Sequence, residues 1–412
     1  MLTPVVEAPP RLERAQTSLK LADILRAHGA DYGRNHAVSH EQRRAMQDIL
    51  QCRTAALGGH VDECDQCGGL RIRYNSCRNR HCPQCGGLAR AAWQEAQRAH
   101  LLPIAYFHVV FTLDHAWNAL ARVNPVAVYN LLFHTAAETL QACGARYLGG
   151  EIGFTAVLHT WGQALGEHIH LHCIVTGGAL SPDGRRWRAA SPRFLFPIKA
   201  LSRHFRDRFC AGLSRLYHRG ELRLAGESLA WAEPAAFEES LQTSRQRAWE
   251  VYAKPPFAGA EEVLAYLGRY VNRIAISQGR LLDHRNGQVR FSYRDYRDQG
   301  RRKEMTLAAE EFIRRFLQHV LPTGFTRIRH YGLLAPRYRA GKLARCRALL
   351  GATPPPPPRD KQALLAEWLG EDDLCPLCGQ GHWQPYQTLP PQATRLDVRS
   401  PRRLFQPDVG LT

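Results

Sequence analysis

The feature that most constrains the fold of this chain is a short segment crowded with cysteines. Residues 52–87 hold six cysteines and two histidines but few aliphatic side chains. Such a segment buries too little apolar surface to fold by packing alone, so it predicts a structure organised by metal ions. The cysteines are Cys52, Cys64, Cys67, Cys77, Cys82 and Cys85, and the histidines are His60 and His81.

Two Cys-x-x-Cys pairs in this segment indicate structural Zn²⁺. The pairs Cys64/Cys67 and Cys82/Cys85 are separated by 14 residues, and a glycine follows the second cysteine of each pair. This spacing predicts two knuckles that close one tetrahedral site. Four further residues could bind a second ion, or could replace one of these ligands in the first site: Cys52, His60, Cys77 and His81.

A third Cys-x-x-Cys pair lies near the end of the chain. Cys375 and Cys378, with His382 nearby, are a weaker zinc candidate because a lone pair of this kind carries little information. The cysteines are expected to be reduced. No apolar run is long enough to cross a bilayer, and the N-terminus lacks the layout of a secretory signal, which predicts a cytoplasmic protein without a membrane partner.

The chain is strongly basic, with 55 Lys and Arg residues against 37 Asp and Glu and a net charge of +18. Arginine-rich surfaces attract polyanions, so nucleic acid is the favoured partner, and an arginine-rich soluble protein without such a partner is the alternative. Four arginines lie among the cysteines and predict either contacts with a DNA backbone or an ordinary solvated face: Arg71, Arg73, Arg78 and Arg80.

Hydrophobic periodicity and changes of composition predict four regions. Residues 1–10 are expected to be disordered, and residues 11–100 to form a helical and zinc-binding N-terminal domain. Residues 101–345 are expected to form the main domain, which carries the histidine and tyrosine motifs described below, and residues 346–412 a linker and tail. The linker prediction rests on five consecutive prolines, Pro354–Pro358, and the tail carries the third cysteine pair.

Alternating histidines mark one predicted strand of the central region. His168, His170 and His172 lie two residues apart, so a strand places them on one face and the intervening apolar residues on the opposite, buried face. Three histidines in register favour a divalent ion over ordinary core histidines. The preceding strand is expected to supply a third ligand, since His159, Trp161 and Gln163 also alternate. The amide of Gln163 is the predicted ligand, beside two imidazoles, in a site with positions open for phosphate oxygens.

Two tyrosines stand on one face of a predicted helix at 261–276. Tyr266 and Tyr270 are four residues apart, so both side chains project the same way. Aromatic residues at this spacing usually pack into a core. The histidine strand and the arginine surplus favour a functional role for them here.

The order of these motifs resembles the insertion-sequence-91 family of transposases, within the histidine-hydrophobe-histidine (HUH) nuclease superfamily. The resemblance rests on CRTAALGGH with CRNRHCPQC, LHTWGQ with HIHLHC, and YLGRYVNRIAIS, and spans residues 15–345. It implies an α+β fold in a bacterial protein. A mainly antiparallel sheet carries the histidines on a central strand, helices pack on the sheet, and a helical, zinc-ribbon module precedes it.

The resemblance also implies a mechanism. Mg²⁺ or Mn²⁺ held by His170 and His172, with His168 one step upstream, would bind the scissile phosphate of single-stranded DNA. Gln163 stands in the WGQ motif of the family, and we infer that it is the third ligand. One tyrosine would attack to give a 5′-phosphotyrosine, and the second would allow strand transfer between element ends and target DNA. Basic residues expected to contact this DNA are Arg269, Arg273, Arg294, Arg301, Arg302 and Lys303.

Three other classes of protein fit parts of the sequence. A replication initiator or relaxase would share the tyrosine chemistry. A zinc-ribbon DNA-binding regulator would use the cysteines and the basic charge, and its activity would survive loss of both tyrosines. A metal hydrolase of small molecules would use the histidines but neither the charge nor the tyrosines.

Overall fold

The computed structural model describes residues 19–257, 262–264, 266, 268, 274–369, 374–391 and 404–405. The helices are α1 (Leu21–Asn35), α2 (His40–Gln51), α3 (Gly87–Arg98), α4 (Asn118–Val123), α5 (Pro125–Cys143), α6 (Ile198–His218), α7 (Pro234–Gln246), α8 (Ala309–Leu317), α9 (Arg339–Leu349) and α10 (Lys361–Leu369). Residues 262–264, 266 and 268 are also helical and are called the Tyr266 segment below. The predicted disorder of residues 1–10 lies outside the described residues.

The strands form four sheets. They are β1 (Gly59–Cys64), β2 (Leu70–Tyr74), β3 (Tyr106–Thr112), β4 (Gly153–Trp161), β5 (Glu167–Thr176), β6 (Gly178–Leu180), β7 (Trp187–Ala189), β8 (Val251–Phe257), β9 (Leu281–Arg285), β10 (Gln288–Asp295), β11 (Arg301–Ala308), β12 (Ile328–Gly332), β13 (Trp383–Leu389) and β14 (Leu404–Phe405). The largest sheet has five strands in the order β12-β4-β5-β3-β8.

The five-stranded sheet is antiparallel throughout, with β5 at its centre. One face is covered by α5 and α6, and the apolar residues of β5 point into this main core: Ile169, Leu171 and Cys173. The predicted alternation is therefore confirmed, as is the α+β fold with an antiparallel sheet and packed helices. α5 begins with Pro125 at its first turn, where a proline lacks only a donor that the helix would not use.

The opposite face of this sheet carries a smaller apolar cluster. Val263 and Tyr266 of the Tyr266 segment pack there against Tyr106, Val157 and Ile174, which come from β3, β4 and β5. The histidines of β5 lie on this same face, because side chains two residues apart share one side of a strand. The sheet thus places a buried tyrosine beside the histidines.

A second core joins the N-terminal helices to the sheet β9-β10-β11. It contains residues of α1, α2 and α8, and it also contains Cys52, Cys82 and Cys85. Ser39 caps α2 by accepting a hydrogen bond from the backbone N–H of Gln42, a standard helix start. The cysteine segment is therefore packed into the molecule on one side.

The fourth sheet joins the two ends of the chain. Its strand order is β13-β1-β2-β14, with β13 antiparallel to β1 and β14 parallel to β2. The predicted division treated residues 346–412 as a linker and a tail, whereas these C-terminal strands complete the sheet of the N-terminal cysteine hairpin. Within the described ranges, none of the helices combines the length and apolar character needed to cross a membrane.

Candidate histidine centre and cysteine groups

Three histidines converge on one face of the central sheet. His170 and His172 lie on β5, and His159 lies directly opposite His170 on β4. All three side chains are buried, and their ligand nitrogens lie within 4.8 Å of one another. The Nε2 atoms of His170 and His172 are 3.0 Å apart. Two adjacent strands thus hold three imidazoles from a rigid backbone, an arrangement suited to a divalent cation.

The tautomer of His170 is fixed by the backbone. Its Nδ1 lies 2.7 Å from the carbonyl oxygen of His168, and a carbonyl only accepts, so Nδ1 carries the proton. The lone pair of Nε2 then points towards His172, whose Nε2 is 3.0 Å away. Metal-binding histidines commonly have this outer hydrogen bond, which orients the ring.

The other two predicted metal ligands, His168 and Gln163, are placed differently. The ring of His168 lies beside that of His170, with 4.7 Å between the ring centroids, and its Nδ1 is 3.1 Å from Nε2 of His115. Gln163 lies beyond the end of β4, in the turn towards β5, where its backbone carbonyl accepts a hydrogen bond from Arg280. The pairing of β4 with β5 shifts between His159 and Trp161, so the regular alternation that selected Gln163 does not hold there. His159 occupies the third position.

The hydroxyl of Tyr266 reaches this centre. It lies 3.2 Å from Nδ1 of His172 and 2.8 Å from Nε2 of His108, and its side chain is buried. Tyr270, Arg269 and Arg273 lie outside the described residues. Of the two predicted nucleophiles, Tyr266 is therefore the one whose position is described, and it stands next to the histidines.

His108 was not among the predicted site residues. It lies on β3, with Nε2 2.8 Å from Nδ1 of His172. Burial, and secondarily the charge of Lys254, lowers the pKa of His108 to about 3, so its imidazole is neutral near pH 7. No signal in the sequence singled it out, because its contacts with β5 depend on the register of the two strands.

The six clustered cysteines do not form the predicted site. The Sγ atoms make two separate groups, each with its ligand atoms within 4.8 Å of one another. The first group is Cys52, Cys77, Cys82 and Cys85, and the second is Cys64, Cys67, Cys375 and Cys378. The prediction that Cys64/Cys67 and Cys82/Cys85 share one ion is therefore wrong, because each pair turns towards different partners.

The first group has the geometry of a zinc site. Sγ of Cys77 lies 3.7 Å from Sγ of Cys85, and all 12 cysteines of the chain are free thiols. A tetrahedron with Zn–S bonds of about 2.3 Å has sulfur–sulfur edges of roughly 3.8 Å. The two other candidate ligands have different roles. His60 is exposed on β1, while the buried Nε2 of His81 accepts a hydrogen bond from the backbone N–H of Leu321.

Several of the arginines near the cysteines serve the fold. Arg71 and Arg73 both pair with the buried carboxylate of Asp62, and Arg71 also lies over the ring of Trp383. Arg80 donates to the backbone carbonyls of Pro322 and Phe325, at 2.7 and 2.6 Å. Arg78 is exposed. Arg73 is exposed as well but is held by its ion pair, so Arg78 is the better candidate for a DNA contact.

The basic residues of the β10–β11 hairpin are more accessible. Arg294 and Arg302 face each other across the two strands, and both are exposed, as is Arg301. Lys303 pairs instead with Asp295 and Asp298 at 2.8 and 3.1 Å. Two arginines directly opposite each other repel, so a bound phosphate would relieve an unfavourable contact.

Replacement of Arg80 by alanine is expected to lower the free energy of unfolding by about 1–3 kcal/mol, because two carbonyls lose a charged donor. Arg78→Ala is the matched control and should leave stability unchanged while weakening DNA binding. Thermal unfolding and DNA-binding titrations of both variants check this. Equal stability of the two variants would contradict the structural role given to Arg80.

The two cysteine groups define a zinc-binding protein. The three histidines form a separate ligand group on the antiparallel sheet. A family described as "Transposase zinc-binding domain" matches residues 24–113, and one described as "Putative transposase" matches residues 153–342. The chain belongs to the insertion-sequence-91 family of transposases. Zn²⁺ is accordingly the structural ion of its N-terminal domain.

Two relatives cover most of the chain. The putative transposase y4qJ of Sinorhizobium fredii (strain NBRC 101917 / NGR234) is 52% identical over 376 residues, 89% of this chain and 94% of the relative. The transposase for insertion sequence element IS801 of Pseudomonas savastanoi pv. phaseolicola is 31% identical over 350 residues, 80% of each chain. A solved structure titled "Conjugative Relaxase TrwC in complex with mutant OriT Dna" has 15% identity and a TM-score of 0.23, covering 58% of this chain and 72% of its own.

Proposed function

We propose that this transposase nicks and rejoins single-stranded DNA through a covalent bond between Tyr266 and a 5′ phosphate, driving rolling-circle-type transposition. The observation that carries the proposal is the position of the Tyr266 hydroxyl, 3.2 Å from His172 in the histidine centre. A buried phenol needs a hydrogen-bond partner in any case, and here its partners are two imidazoles, one of them in the candidate ligand group. Its nucleophilic use accounts for the arrangement.

The histidine centre fits a divalent cation. His159, His170 and His172 would hold Mg²⁺ or Mn²⁺ through their ring nitrogens, and His159 replaces Gln163 as the proposed third ligand. When bound, the ion would polarise the scissile phosphate and neutralise the charge that builds up on it. Three protein ligands would leave further coordination positions of the ion for phosphate oxygens.

The residues around the tyrosine supply orientation and a path for its proton. A free phenol has a pKa near 10, so Tyr266 needs its proton drawn away during attack. Its hydroxyl contacts the neutral imidazole of His108 at 2.8 Å. The tyrosine oxygen bonds to phosphorus as its proton leaves through the hydrogen bond to His108, and the bond to the 3′ oxygen breaks. The proton is passed on to that oxygen, which leaves as a hydroxyl.

The reverse step closes the cycle. The free 3′-hydroxyl attacks the phosphotyrosine, which restores the DNA bond and returns the proton to the tyrosine. No nucleoside triphosphate is needed, because the covalent bond retains the energy of the broken phosphodiester. Strand transfer between two DNA ends would use Tyr270 as the second nucleophile, as the family resemblance implies.

A direct test is to look for the covalent adduct with wild-type protein. Labelled single-stranded DNA carrying the ends of the element would be incubated with protein and Mn²⁺, then separated on a denaturing gel. We expect a slowly migrating adduct that disappears with EDTA and does not form on fully paired DNA of the same sequence. No adduct on authentic ends would favour a DNA-binding regulator without catalysis.

A further inference from the structure

The second cysteine group is built from two knuckles of nearly identical construction. In one, the N–H of Gly68 donates to the carbonyl of Cys64, and in the other the N–H of Gly379 donates to the carbonyl of Cys375. Both glycines have positive φ angles, +65° and +72°. This turn brings the two thiols of a Cys-x-x-Cys pair to one side. The chain therefore contains the same ligand-presenting turn at both ends.

The two knuckles face each other and fit closely. Sγ of Cys64 lies 3.7 Å from Sγ of Cys378, and Sγ of Cys67 lies 3.7 Å from Sγ of Cys375. These separations match the edge of a zinc–thiolate tetrahedron, roughly 3.8 Å, and exceed a disulfide bond, about 2.05 Å. The pairs come from opposite ends of the chain, yet they are arranged as one ligand set.

Backbone contacts hold the knuckles in register. The N–H of Asp65 donates to the carbonyl of His382, and the N–H of His382 donates to the carboxylate of Asp65, at 3.0 and 2.8 Å. At Gly381 a Cβ atom would come within 2.2 Å of Sγ of Cys64, so only glycine permits this approach. The close approach of the two knuckles thus depends on Asp65 in the first knuckle and on Gly381 next to the second.

We propose that Cys64, Cys67, Cys375 and Cys378 bind a second zinc ion, which clasps the C-terminal segment onto the N-terminal hairpin. Cys375 and Cys378 lie outside both matched family regions, 24–113 and 153–342. The ion would join two parts of the chain that are more than 300 residues apart. The C-terminal pair is thereby an integral part of the zinc-binding module.

The clasped segment also runs along α3. Arg359, just before α10, pairs with the buried Glu95 of α3 at 3.0 Å, and α10 packs on the same helix. The neighbouring Gln94 of α3 donates to the carbonyl of Leu264 in the Tyr266 segment, at 3.1 Å. The segment from Arg359 to the end of α10 therefore packs on α3, the helix that contacts the Tyr266 segment. The proposed zinc site lies further along the chain, at Cys375 and Cys378.

Zinc content tests the clasp without any measurement of DNA cleavage. We expect two zinc ions per chain in the full-length protein, measured by native mass spectrometry and by elemental analysis. The double variant Cys375→Ser/Cys378→Ser should retain one. Cys346→Ser, which removes a buried thiol outside both groups, is the control and should retain two. One ion in the wild type, or two in the double variant, would overturn the proposal.

Controlled cleavage tests whether this ion fastens the segment. A protease site would replace the exposed prolines of 354–358, and the cut protein would be passed over a gel-filtration column. We expect the C-terminal fragment to stay with the body in the parent and to separate in the double variant. Separation in both proteins, or in neither, would show that zinc is not the fastener. Circular dichroism and the remaining zinc ion report whether the variant is folded, and titration of the metal-free parent with Co²⁺ gives an independent count of thiolate sites.

Discussion

Replacing Tyr266 by phenylalanine is expected to abolish covalent attachment to DNA and to lower the rate of strand cleavage by ~10³-fold or more. The change removes only a hydroxyl, so the packing of the ring against Val157 and Ile174 is kept. The loss would therefore report the missing nucleophile. The measurement is adduct formation and single-turnover cleavage of a single-stranded element end with Mn²⁺.

Tyr106→Phe is the matched control for this experiment. Tyr106 belongs to the same buried cluster, but its hydroxyl accepts a hydrogen bond from the backbone N–H of Leu102. The Tyr106→Phe variant should have a lower free energy of unfolding than the parent but nearly the same rate of strand cleavage. If Tyr266→Phe still forms the adduct at the parent rate, Tyr266 is not the attacking residue. The variants Tyr270→Phe and Tyr266→Phe/Tyr270→Phe would then establish whether Tyr270 attacks first.

Replacing His159 by alanine is expected to cost at least ~100-fold in metal-dependent cleavage, more than the loss of an outer-sphere partner usually costs. The reason is that His159 faces His170 and His172 within the ligand group, so its removal leaves two protein nitrogens for the ion. Gln163→Ala should cleave close to the parent rate. The two variants are compared over a range of Mn²⁺ concentrations.

The metal dependence separates loss of a ligand from general damage. For His159→Ala we expect weaker Mn²⁺ binding by calorimetry, and partial recovery of cleavage at high Mn²⁺. His134→Ala serves as a second control, because His134 is exposed on α5 and pairs with Glu138, away from the ligand group. A large loss in Gln163→Ala with none in His159→Ala would restore the assignment made from sequence.

The sequence was most informative where a regular strand carries the pattern. On β5, His170 and His172 alternate with Ile169 and Leu171, and the period of two correctly places the apolar pair in the core. The same rule failed on β4. The irregular pairing after His159 ends the alternation, so counting onward to Gln163 chose a residue of the turn.

The cysteine partners were beyond sequence reasoning for a different reason. A Cys-x-x-Cys knuckle is a local structure, and each knuckle looks alike whichever partner it meets. The Cys-x-x-Cys pair nearest in sequence to Cys64/Cys67 is Cys82/Cys85. In the fold, however, Cys64 and Cys67 meet Cys375 and Cys378. Only the pairing of β13 with β1 brings that distant turn into reach. The position of His108 against His172 depends on strand register in the same way.

The pairing of β1 with β13 has a consequence for how the protein is made. A ribosome releases β1 long before Trp383, the first residue of β13, and roughly 320 residues take about 15–60 s to add. During that time one edge of the hairpin has no partner strand, and an open edge invites association with other chains. A transcript that is cut short would leave the edge open permanently. Protection of this edge therefore depends on a strand made more than 300 residues after β1, so the N-terminal sheet is completed late in synthesis.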